Sequence, residues 1–253
     1  MSSQLFQWQL FLAGHCHHWL GQWTRYNPQG NFIEQYDSER IFALNADKNS
    51  AHQKNLHHKP SGLIVNEWEL TRGDGQSLGH PHCATMACYC LPDFTLFWVP
   101  FKSAQTFFGI EIILTIGHSR ASVFATYNDE FELSRFTIVR EYQKATEPVW
   151  SFEKQLGQVD NFPGEILAET LTAQLGVPIE TQATKINWPT GEERAIIHFP
   201  DQIAFNVPKI FNAKTLPEIL VQWRTPDNRV ERRVVKYEPN SETPRFLAQT
   251  IAV

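Results

Sequence analysis

Short stretches of alternating apolar and polar residues, separated by turn residues, run from Gly21 to about Tyr142. Alternation with a period of two is typical of a β-strand that buries one face, whereas an amphipathic helix repeats about every 3.6 residues. The pattern predicts eight strands in this part of the chain, at 21–26, 31–42, 63–70, 82–90, 94–101, 108–116, 121–127 and 132–142.

Turn signals such as Asn27-Pro28-Gln29-Gly30 and Gly117-His118-Ser119 join these strands as successive hairpins. About eight strands connected in this way can close into an up-and-down barrel that holds one small ligand. The strand at 94–101 is apolar on both faces, which a barrel wall facing water would not be. We therefore expect its outer face to pack against the second half of the chain.

The second half of the chain is also rich in predicted strands, at 183–188, 195–199, 202–207, 219–224, 230–237 and 246–253. The polar segment 143–150, with Pro148, has the composition of a linker. The fold class predicted is all-β, with two antiparallel up-and-down barrels, the second divergent, and few short helices. The predicted domains are residues 1–145 and 146–253.

Two segments are ambiguous between helix and strand, although their local pattern favours helix. In 165–176, Leu167, Leu171 and Leu175 recur every four residues, and Gly176 and Pro178 follow, so the pattern predicts a helix there. In the first sixteen residues, Leu5, Trp8 and Leu12 form one helical stripe, and a short helix there could cap the lower end of the barrel.

Composition excludes several classes of partner. The chain has 253 residues, 42% of them hydrophobic, which is enough to bury a sizeable core, and its net charge of −5 gives no electrostatic basis for binding nucleic acid or an anionic membrane. No apolar run reaches the roughly 18 residues that span a bilayer, and the N-terminus lacks the cationic region of a secretory signal. We expect a cytoplasmic protein without a membrane span, whose four cysteines are mostly free thiols.

A resemblance to a known superfamily rests on the spacing of a glycine and a tryptophan. Gly21-x-Trp23 at the head of a strand, with Arg135 or Arg140 on the last strand of the same half, resembles the lipocalin signature of the calycin superfamily. In that superfamily the tryptophan lies at the closed end of the barrel and a late arginine stacks across it. The resemblance implies that Trp23 is a structural plug, with Arg135 or Arg140 as its partner.

Longer segments resemble a narrower group. The stretch LGQWTRYNPQG, together with Asp37-Ser38-Glu39-Arg40 and Val221-Gln222-Trp223, is similar to an uncharacterised cyanobacterial and plastid family with paired lipocalin-like domains. The second half departs from the pattern, with Val159 where a tryptophan is expected. The group is distantly similar in fold to the S-type lyases that attach bilins, and this resemblance implies a fold and a ligand class without catalytic residues.

Several residues are candidates for chemistry. Glu111 lies among strongly apolar neighbours and is a functional carboxylate, a buried partner of an arginine such as Arg135, or an outward-facing group. An inward Arg135 or Arg140 stacks on Trp23 or binds a ligand carboxylate. For an enzyme on this scaffold, the first residues to test are Glu111, Arg140 and His118.

Metal binding and partner docking are less favoured. Cys88 and Cys90, or His80 and His82, would share a strand face, but their spacing matches no established zinc module, so we predict no metal and no cofactor. A basic run in the second half is typical of a solvated face, with docking to an acidic partner protein as the alternative; its members are Arg224, Arg229, Arg232, Arg233 and Lys236.

The leading functional hypothesis is binding of a small, largely apolar ligand, a pigment or lipid-derived molecule, in the first barrel. Aromatic residues on its strands are the predicted lining: Tyr26, Tyr36, Trp68, Phe97, Phe124 and Phe136. One alternative is an enzyme on the same scaffold, a chromophore lyase or a cyclase/isomerase. Another is a protein-interaction module with a filled barrel, in which Arg232 and Arg233 contact the partner.

Overall fold

In the part of the chain described by the computed structural model, one α-helix precedes two antiparallel β-sheets. The described residues are 3–72, 78–80, 83–106, 109–156, 164–212, 215 and 217–252, with the backbone alone for 3–5, 78–80, 83–84 and 87. The helix is α1 (Ser3–His15). It occupies the N-terminal segment whose local pattern is ambiguous.

The first sheet has ten strands: β1 (His18–Tyr26), β2 (Phe32–Leu44), β3 (Ser50–Lys59), β4 (Gly62–Thr71), β5 (Leu78–His80), β6 (Cys83–Cys90), β7 (Leu96–Pro100), β8 (Gly109–Ile116), β9 (Ser119–Tyr127) and β10 (Leu133–Gln143). Their order is β4-β3-β2-β1-β10-β9-β8-β7-β6-β5. Because the first and last strands pair, the meander closes on itself and its ladder is interrupted only between β4 and β5, among the residues described. We call this sheet the first barrel.

The second sheet repeats this topology with seven strands: β11 (Glu165–Gln174), β12 (Val177–Asn187), β13 (Arg194–Phe199), β14 (Ile203–Pro208), β15 (Glu218–Arg224), β16 (Arg229–Lys236) and β17 (Arg245–Ala252). Its order is β12-β11-β17-β16-β15-β14-β13, so its first and last strands pair as well. We call it the second barrel. The all-β, two-barrel class predicted from the sequence is confirmed.

The helix predicted at 165–176 is wrong, because β11 occupies the segment. Its backbone hydrogen bonds are taken by β12 on one side and β17 on the other. Leu167 and Leu171 lie on β11, where an even spacing places both side chains on one face, whereas Leu175 lies in the hairpin turn. Gly176, at φ +76°, forms the hairpin turn to β12 and is not a helix cap.

The two barrels pack against each other through their apolar outer faces, and one cluster of buried side chains spans both. Phe246 stacks on Tyr89 with ring centres 4.8 Å apart, and Phe199 contacts Tyr26 at 5.8 Å. This contact accounts for the double-sided apolar pattern of β7, whose residues are all buried. The predicted boundary at 145/146 falls in the segment that joins the two sheets.

Candidate functional site

The register of β1 with its neighbours shows which side chains point into the first barrel. Trp23 lies directly opposite Tyr36 on β2 and Val139 on β10, so these three share a face. The outer face of the same strand carries Tyr26, which contacts the second barrel. The inner face of β1 therefore consists of Trp19, Gly21, Trp23 and Arg25.

The floor of the first barrel is closed by α1 and a buried tryptophan. Trp19 is fully buried, its Nε1 donates to the carbonyl oxygen of His15 at 2.9 Å, and the guanidinium of Arg120 lies 4.1 Å from its ring centre. The amide of Gln7 exchanges two hydrogen bonds with the backbone of Cys90 and docks the helix on β6. Water is thus excluded from this end.

Charges at the floor are paired. Glu141 contacts Arg120 Nε at 2.7 Å and Arg40 Nε at 3.2 Å, and all three side chains are buried. Burial lowers the pKa of Arg120 to about 10, against the opposing effect of Glu141. Burial and the nearby Arg120 hold the pKa of His15 well below its ordinary value. This network is a structural one, with each ionic group facing an opposite charge or a hydrogen-bond partner.

Above the floor, aromatic rings line the wall formed by β1, β2 and β3. Trp23 stacks on Tyr36 with ring centres 6.1 Å apart and planes at 11°, and the edge of His57 meets Trp23 at 4.9 Å. Burial, followed by the positive charges of Arg40 and Arg25, lowers the pKa of His57 to about 4. His57 is therefore a neutral imidazole at pH 7.

The opposite end, the mouth, is ringed by cations. Glu34 pairs with Arg25 and with Lys59, the latter at 3.1 Å. Lys59 Nζ also lies 4.6 Å from the ring centre of Tyr36. Arg135 points inward, opposite Thr126 in the β9 register, and its pKa is lowered by burial and by the charge of Arg25. Three cations, Arg25, Lys59 and Arg135, therefore lie close to the single carboxylate of Glu34.

Water reaches the upper half of the inner face. Trp23, Phe124 and Glu111 lie on central strands with neighbours on both sides, yet each keeps intermediate exposure. On the outer face of the same strands, Ala125 and Ile110 are fully buried against the second barrel. The first barrel is thus closed at its floor and open towards its mouth.

Seven buried polar atoms on this inner face have no hydrogen-bond partner among the described residues. Three belong to the ion-paired floor, Arg40 Nε, Arg120 Nη2 and Glu141 Oε1, and four lie above it, Ser38 Oγ, His57 Nδ1, Arg25 Nε and Arg135 Nε. Ser38 and His57 are 4% and 6% exposed and lie directly opposite each other in the β2–β3 register. Because a buried polar group without a partner costs about 1–3 kcal/mol, such a group is a point where a ligand or water can bind.

The geometry can now be set beside known proteins. Residues 4–146 match the family described as "Domain of unknown function (DUF3598), N-terminal". The chain belongs to the DUF3598 family.

The chain is also similar to solved structures. The DUF3598 chain is similar to the crystal structure of a protein of unknown function of the same family from Nostoc punctiforme, with 13% identity, a TM-score of 0.75, and coverage of 98% of this chain and 99% of that one. At this identity the likeness shows the fold alone. The complex of MucA and MucB from Pseudomonas aeruginosa is matched with 11% identity over 98% and 92% of the two chains and a TM-score of 0.25. No curated protein sequence matches the chain.

The DUF3598 fold separates the six predicted lining aromatics into two groups of three. Tyr36, Trp68 and Phe124 point into the first barrel. Tyr26, Phe97 and Phe136 point outward instead and contact Phe199, Phe246 and Phe205 of the second barrel, respectively. Alternation showed that each strand has two faces, but only the register shows which one is inside.

The candidate catalytic residues are not brought together. Glu111 points inward and accepts a hydrogen bond from the hydroxyl of Ser122. Arg140 lies on the outer face, where its Nη1 donates to Asp201 Oδ2 at 2.9 Å and links the two barrels. His118 is exposed in the β8–β9 turn, 3.1 Å from Gln143 Oε1. Of the three, Glu111 alone lies on the inner face.

The tryptophan that a guanidinium covers at the floor is Trp19 and not Trp23, the predicted plug. Trp19 lies four residues before Trp23, on the same face of β1. Arg140 lies opposite Gln22, on the other face from Trp23. Arg135 is on the inner face but at the mouth. The Gly-x-Trp spacing pointed to Trp23, and no feature of β1 alone distinguishes it from Trp19.

Two of the five residues of the basic run, Arg232 and Arg233, do not lie on a solvated face, whereas Arg224, Arg229 and Lys236 are partly exposed. Arg232 and Arg233 are buried, and Arg233 Nη2 pairs with Glu231 at 2.9 Å. Arg232 Nη1 donates to the carbonyl oxygen of Ile186 at 2.8 Å inside the second barrel, which a small apolar cluster also fills. These two residues therefore do not present a docking surface for an acidic protein.

The remaining chemical candidates are histidines and cysteines. The side chains of His80 and Cys83 lie outside the described residues, and Pro81 and His82 lie outside them entirely. Cys16, Cys88 and Cys90 are free thiols, and burial raises the pKa of Cys16 to about 12. Among the described residues there is no group of three or more possible metal ligands and no helix suited to crossing a membrane.

Proposed function

We propose that the first barrel binds a small, largely apolar molecule, of the pigment or lipid-derived class, in the manner of a lipocalin-like container. The observation that carries the proposal is the contrast between its two ends. At the floor the charged groups form ion pairs around a fully buried tryptophan, while the upper inner face holds half-exposed aromatic rings beside cations and polar atoms without partners. Aromatic walls with a few polar groups are typical of ligand sites.

Trp23 is the residue on which the contact would depend most. Its indole stacks on Tyr36 on one side, and part of the ring remains exposed towards the barrel interior. Fully covering an exposed aromatic surface of this size contributes about 1–2 kcal/mol. In the described part of the second barrel, Ile186, Leu220 and Val234 are buried and pack against one another.

The test uses methyl parinarate, an uncharged polyene ester whose fluorescence rises in an apolar site. We expect saturable binding to the whole chain, and about tenfold weaker binding by Trp23→Ala. Trp188→Ala is the matched control, because Trp188 is a half-buried indole of the second barrel. Native mass spectrometry of protein purified gently from its own cell should show an adduct.

Absence of ester binding, together with the bare chain mass in the native spectrum, would contradict the proposal and favour a filled barrel. Recovery of a chemically altered ligand would instead support the enzyme alternative. In that case Glu111, which lies on the same inner face, is the first residue to substitute.

A further inference from the structure

The positive charges at the mouth of the first barrel outnumber the carboxylates that face them. Glu34 is shared by Arg25 and Lys59, which leaves one of these two cations uncompensated. Arg135 forms no ion pair within the described chain, and its one polar contact there is Thr126 Oγ1 at 3.5 Å. A chain with a net charge of −5 thus concentrates positive charge at this one opening.

Local backbone structure directs Arg135 inward. The β9–β10 register shifts between Leu133 and Arg135, so Ser134 is the extra residue of a bulge. After the bulge Arg135 lies opposite Thr126, on the inner face, and diagonal to Arg25 across the β1–β10 pair. The Nε atoms of both arginines are buried without an acceptor.

Two guanidinium groups held close together repel each other, and a bound anion relieves this repulsion. A carboxylate accepts two parallel N–H bonds from one guanidinium, which is the strongest polar contact that a single arginine makes. The Tyr36 ring, on the same inner face beside Lys59, adds a hydroxyl group near the opening. A ligand anion at this point would use donors that the protein itself leaves unoccupied.

A second and independent feature lies deeper in the same space. Ser38 Oγ and His57 Nδ1 are more than nine-tenths buried, face each other across β2 and β3, and have no partner in the described residues. They are uncharged, whereas the mouth is cationic. The inner face therefore carries one group of polar atoms at the mouth and a second group deeper in the barrel. The aromatic ring of Trp23 lies on the same wall.

From this arrangement, and resting on the proposed function, we infer that the ligand of the first barrel is an amphipathic carboxylate. Its single negative charge binds between Arg135 and Arg25 at the mouth, and its apolar body lies along Trp23 and Phe124. Ser38 and His57 supply hydrogen bonds to an uncharged oxygen of the ligand or to water below the head group.

The experiment compares parinaric acid with its methyl ester, which share one apolar body and differ in charge. We expect the whole chain to bind the acid at least about tenfold more tightly than the ester at pH 7.5. Arg135→Gln should weaken binding of the acid about 10- to 100-fold and change binding of the ester less than about twofold. Arg135→Lys should recover part of the loss.

Arg229→Gln is the matched control, because Arg229 is a half-exposed arginine of the second barrel. Equal binding of acid and ester, with no effect of Arg135→Gln, would overturn the carboxylate assignment and leave the barrel as a container for an uncharged ligand. Failure of both probes to bind would overturn the proposed function itself. Circular dichroism checks the fold of each variant. A variant that is unfolded would also lose binding of the ester, which distinguishes unfolding from loss of the carboxylate contact.

Discussion

The floor and the mouth of the first barrel use the same residue types in opposite ways. At the floor, Arg120 covers Trp19 at 4.1 Å and pairs with Glu141 at 2.7 Å in a site closed to water. At the mouth, Arg135 faces Arg25 with no carboxylate of its own among the described residues, and the ring of Trp23 is half-exposed.

Both ends contain tryptophan, arginine and a carboxylate. They differ in whether each arginine has a carboxylate as its ion-pair partner. A charged group that is buried and paired stabilises the fold, or at least costs little, whereas removing its partner is expensive. A charged group held near like charges stabilises nothing in the free protein and is poised for a ligand. The contrast predicts that substitutions at the floor change stability and that substitutions at the mouth change binding.

The largest effect is expected from Trp19→Ala, compared with Trp23→Ala on the same face of the same strand. Loss of the fully buried Trp19 should lower the free energy of unfolding by about 4 kcal/mol. Loss of the half-exposed Trp23 should lower it by about 1–2 kcal/mol. Urea denaturation of both variants measures the difference, and equal losses would mean that the two ends are packed alike.

Glu141→Gln is expected to cost about 3 kcal/mol, because it keeps the volume but leaves Arg40 and Arg120 buried without a counter-charge. The corresponding fall in Tm is roughly 6–12 °C for a chain of this size. Calorimetry provides the measurement. Glu67→Gln, on the exposed edge strand β4, should leave Tm unchanged, and a similar fall in that control would point to a general effect of losing acidic charge.

An intermediate effect is expected in the pH dependence of stability. The unfolded chain protonates His57 near pH 6.5, and the folded chain does so only near pH 4, so the folded state loses stability as pH falls between these values. His57→Gln should reduce that loss by roughly 1–2 kcal/mol. Tm measured from pH 7 to pH 4 tests this, with His58→Gln on the exposed outer face as control. Parallel profiles for wild type and His57→Gln would show that His57 is not held in its neutral form.

The smallest effect on stability is expected from Arg135→Gln. Removing a cation that faces Arg25 should change the free energy of unfolding by about 0.5 kcal/mol or less, in either direction. Arg120→Gln, at the floor, should cost several times more because Glu141 then loses its closest partner. Denaturant titration of the two variants measures their free energies of unfolding. A large loss of stability in Arg135→Gln would assign that residue a structural role.

Most strands were predictable because they bury one face against a large core. β3 is a strand that the hydrophobic pattern did not predict. Its inward residues include Gln53, Asn55 and His57, all buried, so its apolar alternation is absent although its geometry is regular. A strand that lines a polar cavity lacks the very signal by which strands are recognised. Failure of the pattern at β3 coincides with the candidate site.

The helix predicted at 165–176 failed for a different reason. Leucines spaced by four fit both a helix and a strand, and the positions that distinguish the two, Thr170 and Gln174, are polar. Pairing of β11 with two other strands decided the matter. Tertiary hydrogen bonding overrode a local preference worth only a few tenths of a kcal/mol per residue.

The sequence by itself determined the all-β class, most hairpins and the apolar outer face of β7, because these depend on periodicity and turn chemistry within a few residues. Only the tertiary structure decided which face of each strand is inside, that Trp19 closes the floor, and that Arg140, Arg232 and Arg233 are buried between or within the barrels. Those outcomes depend on register and on partners more than fifty residues away, as in the pair of Arg140 and Asp201. Local pattern carries no information about such pairs, because shifting a strand by one residue exchanges every side chain between the two faces.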